Sequence, residues 1–194
     1  MFGLAAIAAV AAMAFVGASS AMATFPTQLC SSNEGGALTC SAGNVVTHVH
    51  FVDSAAKLLT NVLNVTCNAL FLGDSLGLAQ PLLVHGEFTY SGCNNGCTAE
   101  DLEGGLLLIL KTAANLAEVK GDGFKVNVHC LNVIECEYDG QGLVGHGLGA
   151  NLPTTAGEVS ISEQTVHSVG GLLCPSTAKL DALFESLTDV YIKS

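Results

Sequence analysis

Apolar and polar residues alternate along most of this chain with a period of two, and the alternation restarts every ten residues or so. Val45, Thr47, Val49 and Phe51 fall on one face, against Val46, His48, His50 and Val52 on the other. Val65, Cys67, Ala69 and Phe71 oppose Asn64, Thr66 and Asn68; Val84, Gly86, Phe88 and Tyr90 oppose His85, Glu87 and Thr89. The pattern returns at 124–130, at 134–139, at 158–162, and at Thr188, Val190 and Ile192. Successive side chains of a strand point to opposite faces, so the pattern predicts half-buried β-strands joined by turns. Residues 106–110 are apolar throughout and suit a strand buried on both faces. Gly121-Asp122-Gly123 reads as a tight hairpin connection. Helix signals are confined to 54–63, behind Ser54, and 176–183, after Pro175. Strand or loop is the preferred reading of both. No repeat of about 20–50 residues and no Pro-rich linker divides the chain. The expectation is one all-β domain, an antiparallel β-sandwich or a closed β-barrel.

The start of the chain departs from this pattern. Residues 4–16 are continuously apolar, and Ala21-Met22-Ala23 has the small-x-small form that precedes signal cleavage. The run is shorter than the roughly 20 apolar residues of a membrane helix. Residues 1–23 are therefore expected to be a signal peptide and 24–194 a secreted domain, with no membrane span after cleavage. No positively charged n-region precedes the apolar run.

Secretion decides how the eight cysteines are read. In an oxidising compartment they form a disulfide framework. Spacing suggests Cys30–Cys40, Cys93–Cys97 and Cys130–Cys136 as local bridges, with Cys67–Cys174 tying the start of the domain to its end. Cys93-Asn-Asn-Gly-Cys97 then becomes a stapled turn whose Asn-Gly supplies positive φ. A zinc clamp would need a second cysteine pair at ligand spacing.

The formal net charge is −11, with six Lys and no Arg. Without guanidinium forks, and with a net negative field, the chain is a poor partner for nucleic acid or anionic membranes.

Candidate chemistry is sparse. Glu135, Glu137 and Asp139 share one strand face, where paired carboxylates would serve a glycoside hydrolase and a solvated face is the simpler reading. His48 and His50 are half of a metal site that His85, His129, His146 or His167 would have to complete. Glu100, Asp101 and Glu103 offer oxygen ligands without an EF-hand pattern, and read as a charged loop. Gly140-Gln-Gly-Leu-Val-Gly145 matches the dinucleotide fingerprint in letters only, because that motif needs a following helix. It reads as a Gly-rich hairpin or edge strand. Leu152-Pro-Thr-Thr-Ala156 resembles a wall-sorting pentapeptide without the apolar span and basic tail that should follow. Asn64-Val-Thr66 is a glycosylation sequon.

Five stretches, VTCNALFLGD (65–74), GEFTYSGCNNGCT (86–98), VNVHCLNVIECEYDGQGL (126–143), GEVSISEQ (157–164) and LLCPSTAKLD (173–182), resemble a group of secreted all-β, cysteine-containing actinobacterial proteins. The resemblance implies a signal peptide and a secreted β-domain, and carries over no catalytic or binding residue. The reading is a disulfide-stabilised secreted or cell-surface β-domain with a structural or ligand-binding, non-catalytic role and no cofactor. The partner is an unknown extracellular ligand or surface component. The alternatives are a hydrolase using Glu135, Glu137 and Asp139, or a His-based metal-binding protein.

Overall fold

A computed structural model describes residues 26–33, 35, 39–76, 79–150 and 156–193. The expected leader and most of the Leu152–Ala156 pentapeptide lie outside them. The strands are β1 (Gln28–Cys30), β2 (His48–Leu59), β3 (Asn64–Ser75), β4 (Leu82–Ser91), β5 (Cys97–Glu103), β6 (Gly105–Ala113) and β7 (Leu116–Asp122). They continue as β8 (Lys125–Cys130), β9 (Ile134–Asp139), β10 (Leu143–Leu148), β11 (Glu158–Leu172), β12 (Thr177–Ser186) and β13 (Tyr191–Lys193). The two weak helix signals fall on strands: 54–59 end β2 and 177–183 open β12, while 60–63 form the turn to β3.

Five long strands in the order β4-β3-β2-β12-β11 form a shared sheet. Two walls of three strands complete it. The first wall, β6-β7-β10, pairs through β6 with Leu82–Gly86 of β4 and through β10 with residues 158–160 of β11. These eight strands close a β-barrel. The second wall, β5-β8-β9, pairs through β9 with residues 167–172 of β11. On its other side β5 runs beside the rest of β4, and no backbone ladder joins the two among the described residues. One end of the shared sheet is thus covered by the first wall and the other end by the second.

The chain changes walls three times, each time at glycine: Gly104 between β5 and β6, Gly123 between β7 and β8, and Gly140 with Gly142 between β9 and β10. Gly121-Asp122-Gly123 is therefore not the hairpin its sequence suggests. The free edge of β7 is already bonded to β10, so β8 cannot fold back onto it. Gly123 takes φ +78°, and the chain drives Phe124 into the core before entering the other wall. The Gly140–Gly145 stretch likewise continues as a strand with no helix after it. It is a wall-changing turn, and not a hairpin or an edge, because β10 is bonded on both sides.

Period-two patterning becomes an inside and an outside. Val49, Phe51, Phe71, Val84, Ile109, Val119 and Phe184 point into one core. Phe71 lies over Gly73 and Gly86, which face each other in register. A Cβ at Gly86 would stand 2.3 Å from the Phe71 ring, so the ring needs glycine beneath it. β6 is not buried on both faces as its composition suggests. Leu107 and Ile109 turn inward, while Leu106, Leu108 and Leu110 point outward and stay half-exposed, because a barrel wall has only one dry side. At the first-wall end, β1 and β13 pair, and Leu29, Val190 and Ile192 join the core. Asn115, at φ +58°, accepts from the Ile192 amide at 3.1 Å and donates to the carbonyls of Gly149 and Ala150.

Four disulfides are present: Cys30–Cys40, Cys67–Cys93, Cys97–Cys130 and Cys136–Cys174. Only the first matches the pairing that spacing suggests. Asn95 and Gly96 do form the expected tight turn, at φ +56° and +65°, closed by the Cys97 amide on the Asn94 carbonyl. Its flanking cysteines, however, bond to β3 and β8. Cys97 lies directly opposite Cys130 in the β5–β8 ladder, 4.0 Å between Cα atoms. Cys130 and Cys136 are diagonal in their own hairpin, facing Ile134 and Val128, so each bonds elsewhere. Removing Cys136–Cys174, which spans 38 residues, should cost about 4 kcal/mol on the chain-entropy account. Removing Cys30–Cys40, which spans 10, should cost about 2.7 kcal/mol. Urea unfolding of the two Ser/Ser variants should reproduce that order, and the reverse order would show that loop length does not decide what these bridges contribute.

Candidate ligand-binding cavity

An apolar cavity of about 90 Å³ lies at the level where the walls change over. Its barrel side is made by Phe51, Phe71, Phe88, Phe124 and Phe184, and its second-wall side by Val126 and Tyr138. Phe88 is the hub. Its ring centroid lies 5.0 Å from Phe71, 5.2 Å from Phe124, 5.6 Å from Phe184 and 5.8 Å from Tyr90. Tilted and edge-on pairs at such spacing contribute about 0.5–1.5 kcal/mol each beyond their burial. The rings are rigid and cannot all meet at a point, so a gap is left between the walls. Phe88 and Tyr90 face inward yet remain partly accessible, because they look into that gap.

Four polar side chains line the cavity: Tyr138 on the second-wall side, and Tyr90, Asp101 and Lys125, which lie near one another. Asp101, on β5, closes the seam that lacks a ladder. Its Oδ2 accepts the Phe88 amide of β4 at 2.6 Å. Burial is the main cause that pushes this carboxyl up; hydrogen bonds from the Phe88 and Glu103 amides pull it down, and the nearby Glu87 charge pushes it up further. Burial, helped by the Asp101 charge, raises the Tyr90 phenol far above its usual range, so it is a neutral donor at any ordinary pH. Lys125 reaches Glu103 at 3.4 Å, its ammonium partly shared. The matching discontinuity on β11 is met by Gln164, whose Oε1 accepts the Val144 amide at 3.3 Å beside a bulge.

Glu135, Glu137 and Asp139 lie, as expected, on one face of β9. That face is the outside of the second wall, between β8 and β11, and none of the three lines the cavity. Glu135 accepts from Asn127 at 3.5 Å, and Asp139 caps the Gln141 amide at 2.8 Å. His48 and His50 share the exposed face of β2. His48 contacts Asp74, which lies in register with His85. His129, His146 and His167 sit on β8, β10 and β11. Among the described residues no three His, Cys, Asp or Glu side chains converge on a point that would hold a metal ion. Asn64 is exposed at the start of β3. A second, open depression of about 840 Å³ crosses the outer face of the shared sheet at its bulges. Ser54, Asn68, Thr89 and Ser162 line it, and no aromatic ring does. Asp53 is buried beside it, fully engaged in fixing the β2–β12 bulge through the amides of Ala55 and Leu183, both at 2.7 Å.

Sequence reasoning placed Asp101 in a charged loop and did not find the cavity. The available signal was the row of inward aromatics, Phe71, Phe88, Tyr90 and Phe124, with one acid at an inward position of β5. No protein-family model, curated protein or solved structure matches the chain.

The raised Asp101 carboxyl has a defined consequence. Its folded-state value lies above the unfolded one, so the folded protein takes up this proton first as pH falls. The group therefore adds stability on acidification from neutral pH through its raised value, and that gain is complete below the ordinary Asp range. Asp101→Asn lacks the gain. The stability of the natural chain relative to Asp101→Asn, followed by urea unfolding, should rise as pH falls from neutrality into the Asp range. A difference independent of pH would refute the burial of this charge.

Proposed function

We propose that the protein is an extracellular, disulfide-stabilised carrier or sensor domain that holds a small apolar ligand between its barrel and the second wall. The cavity carries this reading: a ring-lined interior space at the change of walls, with few polar groups in its lining. Eight-stranded barrels have an interior that is either just filled by side chains or takes one small ligand. Apolar walls with a few convergent polar groups are the ordinary composition of such sites. At about 90 Å³ the space is of the same order as the roughly 150 Å³ engineered cavity that takes benzene. The ligand is thus one ring or a short branched chain. Four disulfides among the described residues, the leader-like segment at 1–23 and the resemblance to secreted actinobacterial proteins support an extracellular setting. A non-catalytic role fits a site whose acid is already committed to two backbone amides.

Gly121 gives a clean test. It lines the cavity, and a Cβ there would meet its neighbours at an ordinary 3.5 Å. Gly121→Val should fold at least as stably as the natural chain while filling the space. Benzyl alcohol titrated into the labelled natural chain should shift backbone NMR signals of Phe88, Gly121 and Phe124, and those shifts should vanish in Gly121→Val. Unchanged shifts in the variant would place the alcohol elsewhere. For the setting, the secreted chain should start at Thr24 and take up no thiol reagent before reduction; a species that alkylates would contradict it.

A further inference from the structure

Resting on that reading, we propose that the cavity selects by charge: it takes neutral or cationic small aromatic molecules, amines above all, and rejects carboxylates of the same shape. The argument comes from what surrounds the polar end. Asp101 lines the cavity from β5, with Oδ2 on the Phe88 amide at 2.6 Å. Glu87, on the neighbouring stretch of β4, lies close enough for its charge to act on Asp101. Glu103 follows two residues along β5. The cationic group beside them is Lys125, and its Nζ is 3.4 Å from the Glu103 carboxylate. Asp101 is the one carboxylate of the lining, and Glu87 and Glu103 stand at exposed positions beside it, so three carboxylates and one ammonium set the field at this end, within a chain of net charge −11.

Each ligand head group meets a different reception. An ammonium reaching this end finds the Asp101 carboxylate, whose two amide bonds leave its net charge in place, in a half-buried site where an opposite charge is attracted more strongly than in water. A hydroxyl accepts from the Tyr90 phenol or donates to Asp101, with no charge to desolvate. A carboxylate meets like charge from Asp101 and Glu87, and must break the Lys125–Glu103 pair to find a cation. Burial already disfavours the ionised form of Asp101, and a cation beside it relieves that strain, whereas an anion adds to it. The rings at the other end accept the same benzyl body in every case, so discrimination comes from the head group alone.

The experiment uses benzylamine, benzyl alcohol and benzoate at pH 7 with the full mature chain, reading dissociation constants from the NMR signals around the cavity. Benzylamine should bind about tenfold or more tighter than benzoate, with benzyl alcohol between them. In Asp101→Asn the spread should shrink to about twofold, with benzoate gaining most of what changes. Should that variant fold poorly, Glu87→Gln, on the outer face, should narrow the same gap by a smaller factor in an intact fold. Equal binding of all three, or benzoate binding tightest, overturns the charge selection and leaves the cavity as a ligand site. Failure of all three to move any cavity signal overturns both the selection and the ligand-binding reading on which it rests.

Discussion

Two strands, β4 and β11, are longer than any wall they border, and the rest of the fold follows from how their free edges are shared. A strand edge is a row of amides and carbonyls that must be bonded. In β4 the first half of that row is met by β6, and in β11 by β10. The remaining stretch of β11 is met by β9, and β5 runs beside the rest of β4 without a ladder among the described residues. The chain reaches both edges by building two three-stranded walls and passing between them at glycines. Each change of partner leaves an amide out of step. Asp101 takes the one at Phe88, and Gln164 takes the one at Val144. These two side chains stand where a ladder would otherwise break.

The cavity is the other product of the same constraint. Each wall brings its own inward residues, and the two sets do not interlock as one continuous sheet would. Large rigid rings gather there: Phe88 from the shared sheet, Phe124 from the turn between walls and Tyr138 from the second wall. Flexible aliphatic chains would fill such a gap more completely than rings. The half-buried acid at its edge is partly desolvated, which disfavours its charge at neutral pH and is offset in part by its two amide bonds. A chain under selection for stability alone would do better with a neutral residue there, and this is the kind of local cost that marks a site.

Much of this was legible in the residues, and the limits have physical causes. Strand existence was written in the alternation, because it depends on burial of one face only. Residues 54–63 resisted their helix-forming composition once β2 acquired partners on both sides. Partner identity was not legible, since period two says which face is dry and nothing about which strand lies alongside. That single gap explains the misread features. Gly121-Asp122-Gly123 looks like a hairpin to anyone who cannot see that β7 is already paired. Residues 106–110 look doubly buried because outward Leu106, Leu108 and Leu110 share a strand with inward Leu107 and Ile109. Asp101 sits among exposed acids in sequence yet shares the inward face of β5 with Cys97 and Ala99, and the bulge that follows it puts Glu103 back outside.

The disulfides show where the fold lacks other means of closure. The first wall is bonded to the shared sheet on both sides by backbone ladders, and no disulfide among the described residues touches it. The second wall has a ladder on one side only. Three of the four disulfides gather around it: Cys67–Cys93 anchors the turn that leads into β5, Cys97–Cys130 locks β5 to β8, and Cys136–Cys174 fastens β9 to the loop beyond β11. Local pairing of neighbouring cysteines would have stapled turns that hydrogen bonds already close. The observed pairing instead holds one face of an unfilled space against opening. A wall with a single amide–carboxylate bond along its seam would swing more freely than its partner, and the covalent ties keep the aromatic gap at a fixed width. That division of labour, ladders on one wall and sulfur on the other, is what a permanent cavity requires and what a solidly packed barrel would not.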